Sequence, residues 1–214
     1  MTKRICIGAF LLFGAAYIAL LPVRSYPGSF IVKALPVLSL ALLALRSVTG
    51  IRGRLLATAL VLSAGGDIAL ALGEGGTYFL TGLVLFLCAH LVYTAVFAMD
   101  LRWQRSRIPV VMLLVLYSFA MGYFLRPSLG PMMLPVFFYL TVITAMAVLA
   151  ALRASPNRLV LIGALLFVVS DSLLAVNKFR APLPAADLLV MVTYYAAQFG
   201  IAWGFVTEIS ATSP

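Results

Sequence analysis

Eight stretches of this chain are each apolar enough, and long enough at about 17–23 residues, to cross a bilayer. That feature leaves few folds open. In hydrocarbon every backbone N–H and C=O needs a partner inside the protein, and an α-helix supplies those partners within one segment. Helices are expected at about residues 5–22, 30–46, 55–72, 78–99, 108–125, 131–152, 158–178 and 185–207. Composition agrees, with 64% hydrophobic and 10% charged residues, where a soluble domain has about half and about a quarter. The fold class expected is all-α: a polytopic transmembrane helix bundle, with residues 1–214 as a single integral membrane domain. The first run follows Lys3 and Arg4, as in a signal peptide, but is too long for one and reads as the first span.

The net charge is +9. The basic residues fall in short clusters between apolar runs, the pattern of cytoplasmic membrane loops. No stretch is long enough for a nucleic-acid footprint, so nucleic acid is excluded as a partner. Ten of them fall on one side of the expected bundle: Lys3, Arg4, Arg46, Arg52, Arg54, Arg102, Arg105, Arg107, Arg153 and Arg158. The other side has Arg24, Arg126 and Arg180, with Lys33 and Lys178 at helix ends. Both termini are therefore expected in the cytoplasm. Cys6 and Cys88 lie in apolar runs with no CxxC spacing, and read as small hydrophobic residues rather than a disulfide or redox pair.

The informative residues are the ionisable ones inside the spans. A carboxylate in hydrocarbon costs several kcal/mol on insertion scales, at roughly 3 kcal/mol each, and has to be shielded from lipid. Asp67 sits in SAGGD of the third span and Asp171 in VSDSLLA of the seventh. Both spans run in the same direction, which puts the two carboxylates at similar depth in the outer half. Lys33 opens the second span and Lys178 closes the seventh near that depth, and His90 lies near the centre of the fourth. Lys178 follows Asp171 by seven residues, nearly on one helix face and about 10 Å along the axis, a spacing suited to lining one cavity. In the eighth span Tyr194 and Gln198 share a face, with Asp187 two turns earlier. Tyr93, Tyr139 and Tyr195 are weaker candidates, and Tyr78, Tyr123 and Trp203 fit interfacial belts. A lone histidine without HxxxH or HxxE spacing gives no metal site, and no cofactor is indicated.

A faint repeat runs through the chain. AGGDIALA at 64–71 resembles VSDSLLA at 169–175, and the two aspartates are 104 residues apart. The same offset carries His90 to Tyr194 and Glu74 to Lys178. Two four-helix halves in the same orientation would produce it, and so would chance likeness among apolar helices.

KALP (33–36), SAGGD (63–67), GLVLFLCAH (82–90), SDSLLAVNKF (170–179) and YYAAQ (194–198) together resemble the YhhN-like family of eight-helix membrane proteins, which includes the animal lysoplasmalogenases. The resemblance covers nearly the whole chain, and SDSLLAVNKF is its most specific part. KALP departs from the family's commoner KPLP but keeps the lysine. The resemblance implies hydrolysis of the vinyl ether bond of a lysoplasmalogen to a fatty aldehyde and glycerophospho-ethanolamine or -choline. The residues matching the family's polar positions are Lys33, Asp67, His90, Asp171, Lys178, Tyr194 and Gln198. Such chemistry calls for one carboxylic acid and one carboxylate, as in glycoside hydrolysis. Asp67 and Asp171 are expected as this catalytic pair. Lys33, His90, Lys178, Tyr194 and Gln198 are expected to contact a lysophospholipid substrate. Two other readings stay open on the residues alone: a proton-coupled transporter using the same acidic pair, and a bundle in which the polar groups serve packing.

Overall fold

A computed structural model describes residues 2–23, 26, 28–73, 75–154 and 157–212; Arg24 and Glu74 lie outside the described residues. Eight α-helices follow one another among them: α1 Thr2–Leu20, α2 Ser29–Ser47, α3 Gly50–Leu72, α4 Gly76–Ala98, α5 Ile108–Leu125, α6 Met133–Ala151, α7 Leu159–Phe179 and α8 Ala186–Thr212. All eight are long and apolar enough to cross a membrane, and the protein is an integral, multi-pass membrane protein. Several helices outrun the expected bounds. α1 takes in Lys3 and Arg4, α3 takes in Arg52 and Arg54, and α8 continues past residue 207. A helix costs nothing to extend beyond the hydrocarbon edge when its next residues are good helix formers whose charged ends reach water.

Neighbours in sequence pack as neighbours in space: α1 to α2, α2 to α3 and α3 to α4, then α5 to α6, α6 to α7 and α7 to α8. The two sets join where α4 meets α6 and where α2 meets α8. Exchanging the first four helices with the last four turns one of these junctions into the other. Lipid gives helices little hydrophobic reason to associate, so close packing through small residues does the work. At Gly163 a Cβ would stand 2.7 Å from the Ile201 nitrogen and 2.8 Å from the Ala197 oxygen, so only glycine lets the α7 and α8 backbones approach this closely. At Gly66 a Cβ would stand 2.6 Å from the ring of Phe86, which packs beside the functional site. On the periphery α5 turns Leu113, Leu116, Phe119 and Tyr123 outward. Cys6 is buried, Cys88 is half-buried, and neither is in a disulfide.

An ion network fastens one end of the bundle. Arg153, at the C-terminal end of α6, is 3% exposed. Its guanidinium donates two bonds to Glu208 of α8, at 3.0 and 2.7 Å, and one to Asp100 after α4, at 3.0 Å. Arg52 of α3 closes on the other oxygen of Asp100 at 2.6 Å. The Arg153 guanidinium also lies 4.3 Å from the centroid of Phe205. Arg52 and Arg153 read from sequence as free loop charges. In the fold both are paired; Arg153 is drawn under the helix ends, where its charge needs matching, while Arg52 reaches Asp100 from the exposed side.

Candidate functional site

The other end of the bundle holds a cavity of about 690 Å³. Its wall includes Lys33, Asp67, Asp171, Asn177, Lys178 and Tyr194, with Asp187 and Tyr17 also on it. The two intramembrane aspartates, from α3 and α7, thus face one space. Each is held by a small cluster from other helices.

Asp67 is 2% exposed. Tyr194 of α8 donates its hydroxyl to Asp67 Oδ2 at 2.6 Å. Lys33 Nζ of α2 lies 3.7 Å from Oδ1. Lys33 does not snorkel to the surface; it is 9% exposed. Its backbone is fixed from α8, where Tyr195 donates to the Lys33 carbonyl at 2.8 Å. Pro36 interrupts the helical hydrogen bonding in that same stretch of α2, and a neighbouring hydroxyl is how such a stretch is resatisfied in lipid.

Among the described residues Asp171 has no lysine or arginine in ion-pair contact. Tyr139 of α6 donates to its Oδ2 at 2.5 Å, and His90 Nε2 of α4 lies 3.1 Å from the same oxygen and 2.8 Å from the Tyr139 hydroxyl. His90 is fully buried, and its Nδ1 has no hydrogen-bond partner. The network therefore assigns the Nε2–H tautomer: the proton sits where an acceptor waits, and the partnerless nitrogen is the one without a proton. Both donors converge on Oδ2, which leaves Oδ1 for the cavity. The helix is steadied nearby by Ser170, whose hydroxyl donates to the Val190 carbonyl of α8 at 3.1 Å.

The remaining candidates divide. Lys178 stands at the cavity wall, exposed, its ammonium 5.1 Å from the centroid of Phe79. Gln198 does not reach the cavity. It is fully buried and its Oε1 accepts a bond from Tyr93 at 2.6 Å. His90 also stops short of the cavity, behind Asp171. Substrate contact was expected of both; Gln198 lies one helical turn past Tyr194 on the same face of α8, beyond the cavity lining, and His90 is turned against Asp171 and Tyr139. Tyr139, ranked low in the sequence, is in direct contact with a cavity carboxylate. Its only prior signal was a polar tip in an apolar run. Among the described residues no three His, Cys, Asp or Glu side chains gather as a metal-binding group.

The hydrogen bonds repeat the spacing seen in the sequence. Moving Tyr194–Asp67 by the 104-residue offset gives His90–Asp171, and both pairs exist. Each aspartate is held by the fourth helix of the opposite half.

Fold and site together define a polytopic membrane protein with two acidic side chains facing one recess between its helices. The YhhN family model matches residues 28–205, and the chain belongs to the YhhN family. It is 38% identical over 152 residues to the lysoplasmalogenase TMEM86A of Bos taurus, covering 67% of this chain and 61% of the relative. It is 36% identical over 169 residues to the lysoplasmalogenase TMEM86B of Homo sapiens, covering 78% and 71%. It is 30% identical over 203 residues to the lysoplasmalogenase of Mycobacterium bovis, covering 88% and 78%. No solved structure gives a significant match.

Proposed function

We propose that this protein is a lysoplasmalogenase, an ether hydrolase that releases a fatty aldehyde and glycerophospho-ethanolamine or -choline from an alkenyl lysophospholipid. Membership of a family whose matched relatives are lysoplasmalogenases supports the reading. The single observation that carries it to this chain's residues is that Asp67 and Asp171 line one cavity. Vinyl ether hydrolysis starts with proton transfer to carbon and gives an oxocarbenium ion, which water then attacks. One carboxyl group supplies the proton and the other takes the proton of the attacking water, the division of labour known from glycoside hydrolysis. Lys33 and Lys178 are cations on the same wall and suit the substrate phosphate. The excess of basic residues at the other end of the bundle supports both termini in the cytoplasm, with the cavity toward the opposite face. In a bacterial cell the protein belongs in the inner membrane, with residues 1–214 as one membrane domain.

The test is aldehyde release by purified protein in detergent. An alkenyl lysophospholipid should yield aldehyde, and its saturated ether analogue should yield none, because it cannot form the cation by protonation at carbon. Absence of aldehyde from the alkenyl lipid, or transmembrane flux of intact lipid without aldehyde, would overturn the assignment.

A further inference from the structure

A second recess opens beside Asp171. It is apolar, holds about 50 Å³, and is lined by Leu83 and Phe86 of α4, Val136 and Tyr139 of α6, and Leu174 and Ala175 of α7. Asp171 is the one charged side chain on its wall. Asp171 also stands on the wall of the polar cavity, as do Phe86 and Leu174. The two recesses share a wall made by Leu70, Phe79, Phe86, Asp171 and Leu174, on which Asp171 is the one charged side chain. Asp67 borders the polar one alone.

We propose that the apolar slot receives the first carbons of the substrate's alkenyl chain, which makes Asp171 the acid that protonates the vinyl ether and Asp67 the base that activates water. This rests on the hydrolase reading above. A lysophospholipid has the same layout as the paired recesses: a charged glycerophospho group, a hydrocarbon chain, and the vinyl ether at the seam between them. With the phosphate on the lysine side and the chain in the slot, the seam falls at Asp171. The chemistry selects the same residue. An enol ether takes its proton on the carbon remote from oxygen, one bond further toward the chain, so the donor has to stand on the chain side.

The steps balance. Asp171 Oδ1–H gives its proton to the remote vinyl carbon, forming a C–H bond and leaving the cation shared by the other carbon and the ether oxygen. Tyr139 and His90 donate to the Asp171 carboxylate as it forms. Water adds to the cation and passes a proton to the Asp67 carboxylate, which the Lys33 ammonium and Tyr194 hydroxyl hold. The hemiacetal then collapses: its hydroxyl proton returns to Asp171, the C–O bond to glycerol breaks, and Asp67 protonates the departing oxygen. The products are aldehyde and glycerol hydroxyl, and both side chains return to their starting states.

The size of the slot adds a specificity rule. A slot of about 50 Å³ has room for a short stretch of chain and not for a whole long alkenyl group. The rest of the chain continues into the bilayer, so the protein reads the vinyl end and ignores chain length beyond it.

Hydrogen exchange into substrate separates the two acids. Asp67→Asn in D₂O should still form the cation but fail to trap it, and the recovered vinyl ether should carry deuterium on the remote carbon. Asp171→Asn should give no such label. Label with Asp171→Asn and not with Asp67→Asn would reverse the roles, and label with neither would refute the assignment. Leu83→Trp, or Ala175→Leu if the first does not fold, should raise KM for the alkenyl lipid about tenfold, the worth of burying about two methylenes. Inhibition by the chainless product glycerophospho-ethanolamine should stay unchanged. Equal loss of product inhibition would refute the slot. If wild-type protein releases no aldehyde the hydrolase reading itself fails; if it does, the exchange and KM results bear on this inference alone.

Discussion

Tyr139→Phe removes one atom from the site and tests what holds Asp171. The Tyr139 hydroxyl is 2.5 Å from Asp171 Oδ2, and the next donor on that oxygen, His90 Nε2, is at the longer distance of 3.1 Å. A hydrogen bond to a charged acceptor is worth about 1.5–3 kcal/mol. If Asp171 becomes a carboxylate in the transition state, most of that value is felt there. At about 1.4 kcal/mol per factor of ten, kcat should fall between about 10- and 100-fold, while KM moves little because phenylalanine keeps the ring that forms part of the slot wall. The assay is initial aldehyde release across a substrate series, beside thermal unfolding of the same preparation in detergent. Tyr117→Phe is the control. Its hydroxyl donates to Ser172, the next residue of α7, at 2.7 Å, a bond between neutral groups away from the cavity wall. It should leave kcat within about threefold, since a neutral hydrogen bond contributes about 1 kcal/mol and here to stability. Full kcat in Tyr139→Phe with intact stability, or equal loss in both variants, would refute the idea that Asp171 gains charge during the reaction.

Other outcomes follow from the same geometry. Asp67→Asn and Asp171→Asn should each lower turnover at least about 100-fold in protein that still folds, measured by aldehyde release; full activity in either removes that residue from the mechanism. Arg153→Met should cost about 3–5 kcal/mol of stability by stranding Glu208 and part of Asp100, with kcat and KM unchanged in the folded fraction, read by denaturation and kinetics side by side. Gly163→Leu should abolish folded protein on size-exclusion chromatography, because its side chain would overlap the α8 backbone.

The number and order of helices were legible because lipid permits so few backbone solutions. Asp67 and Asp171 were legible for a related reason: a carboxylate in an apolar run is expensive, so its presence marks a sheltered polar space. Their partners were harder to read. Tyr194 is 127 residues from Asp67 and His90 is 81 from Asp171. Which residue faces which depends on how far each helix is turned about its axis, and an apolar helix in lipid leaves weak periodicity to show that turn. Gln198 shares its helix face with Tyr194 and differs only in lying one turn deeper, and His90 lies behind Asp171, so neither is on the cavity wall. Tyr139 looked like one tyrosine among many. Nothing local to Asp100 or Glu208 in the sequence announces their pairing with Arg153, which is 53 and 55 residues away.

The mirrored holding of the two aspartates has a consequence for the origin of the site. A true dimer of one four-helix half would place two identical acids across its axis, each with the same neighbours, and neither would have reason to differ from the other in readiness to give up a proton. Here the correspondence is broken at the first neighbours. Histidine stands against tyrosine at positions 90 and 194, and Lys33 is matched by Phe137. With both halves in one chain, each carboxyl group has its own surroundings: Tyr194 and Lys33 at Asp67, His90 and Tyr139 at Asp171.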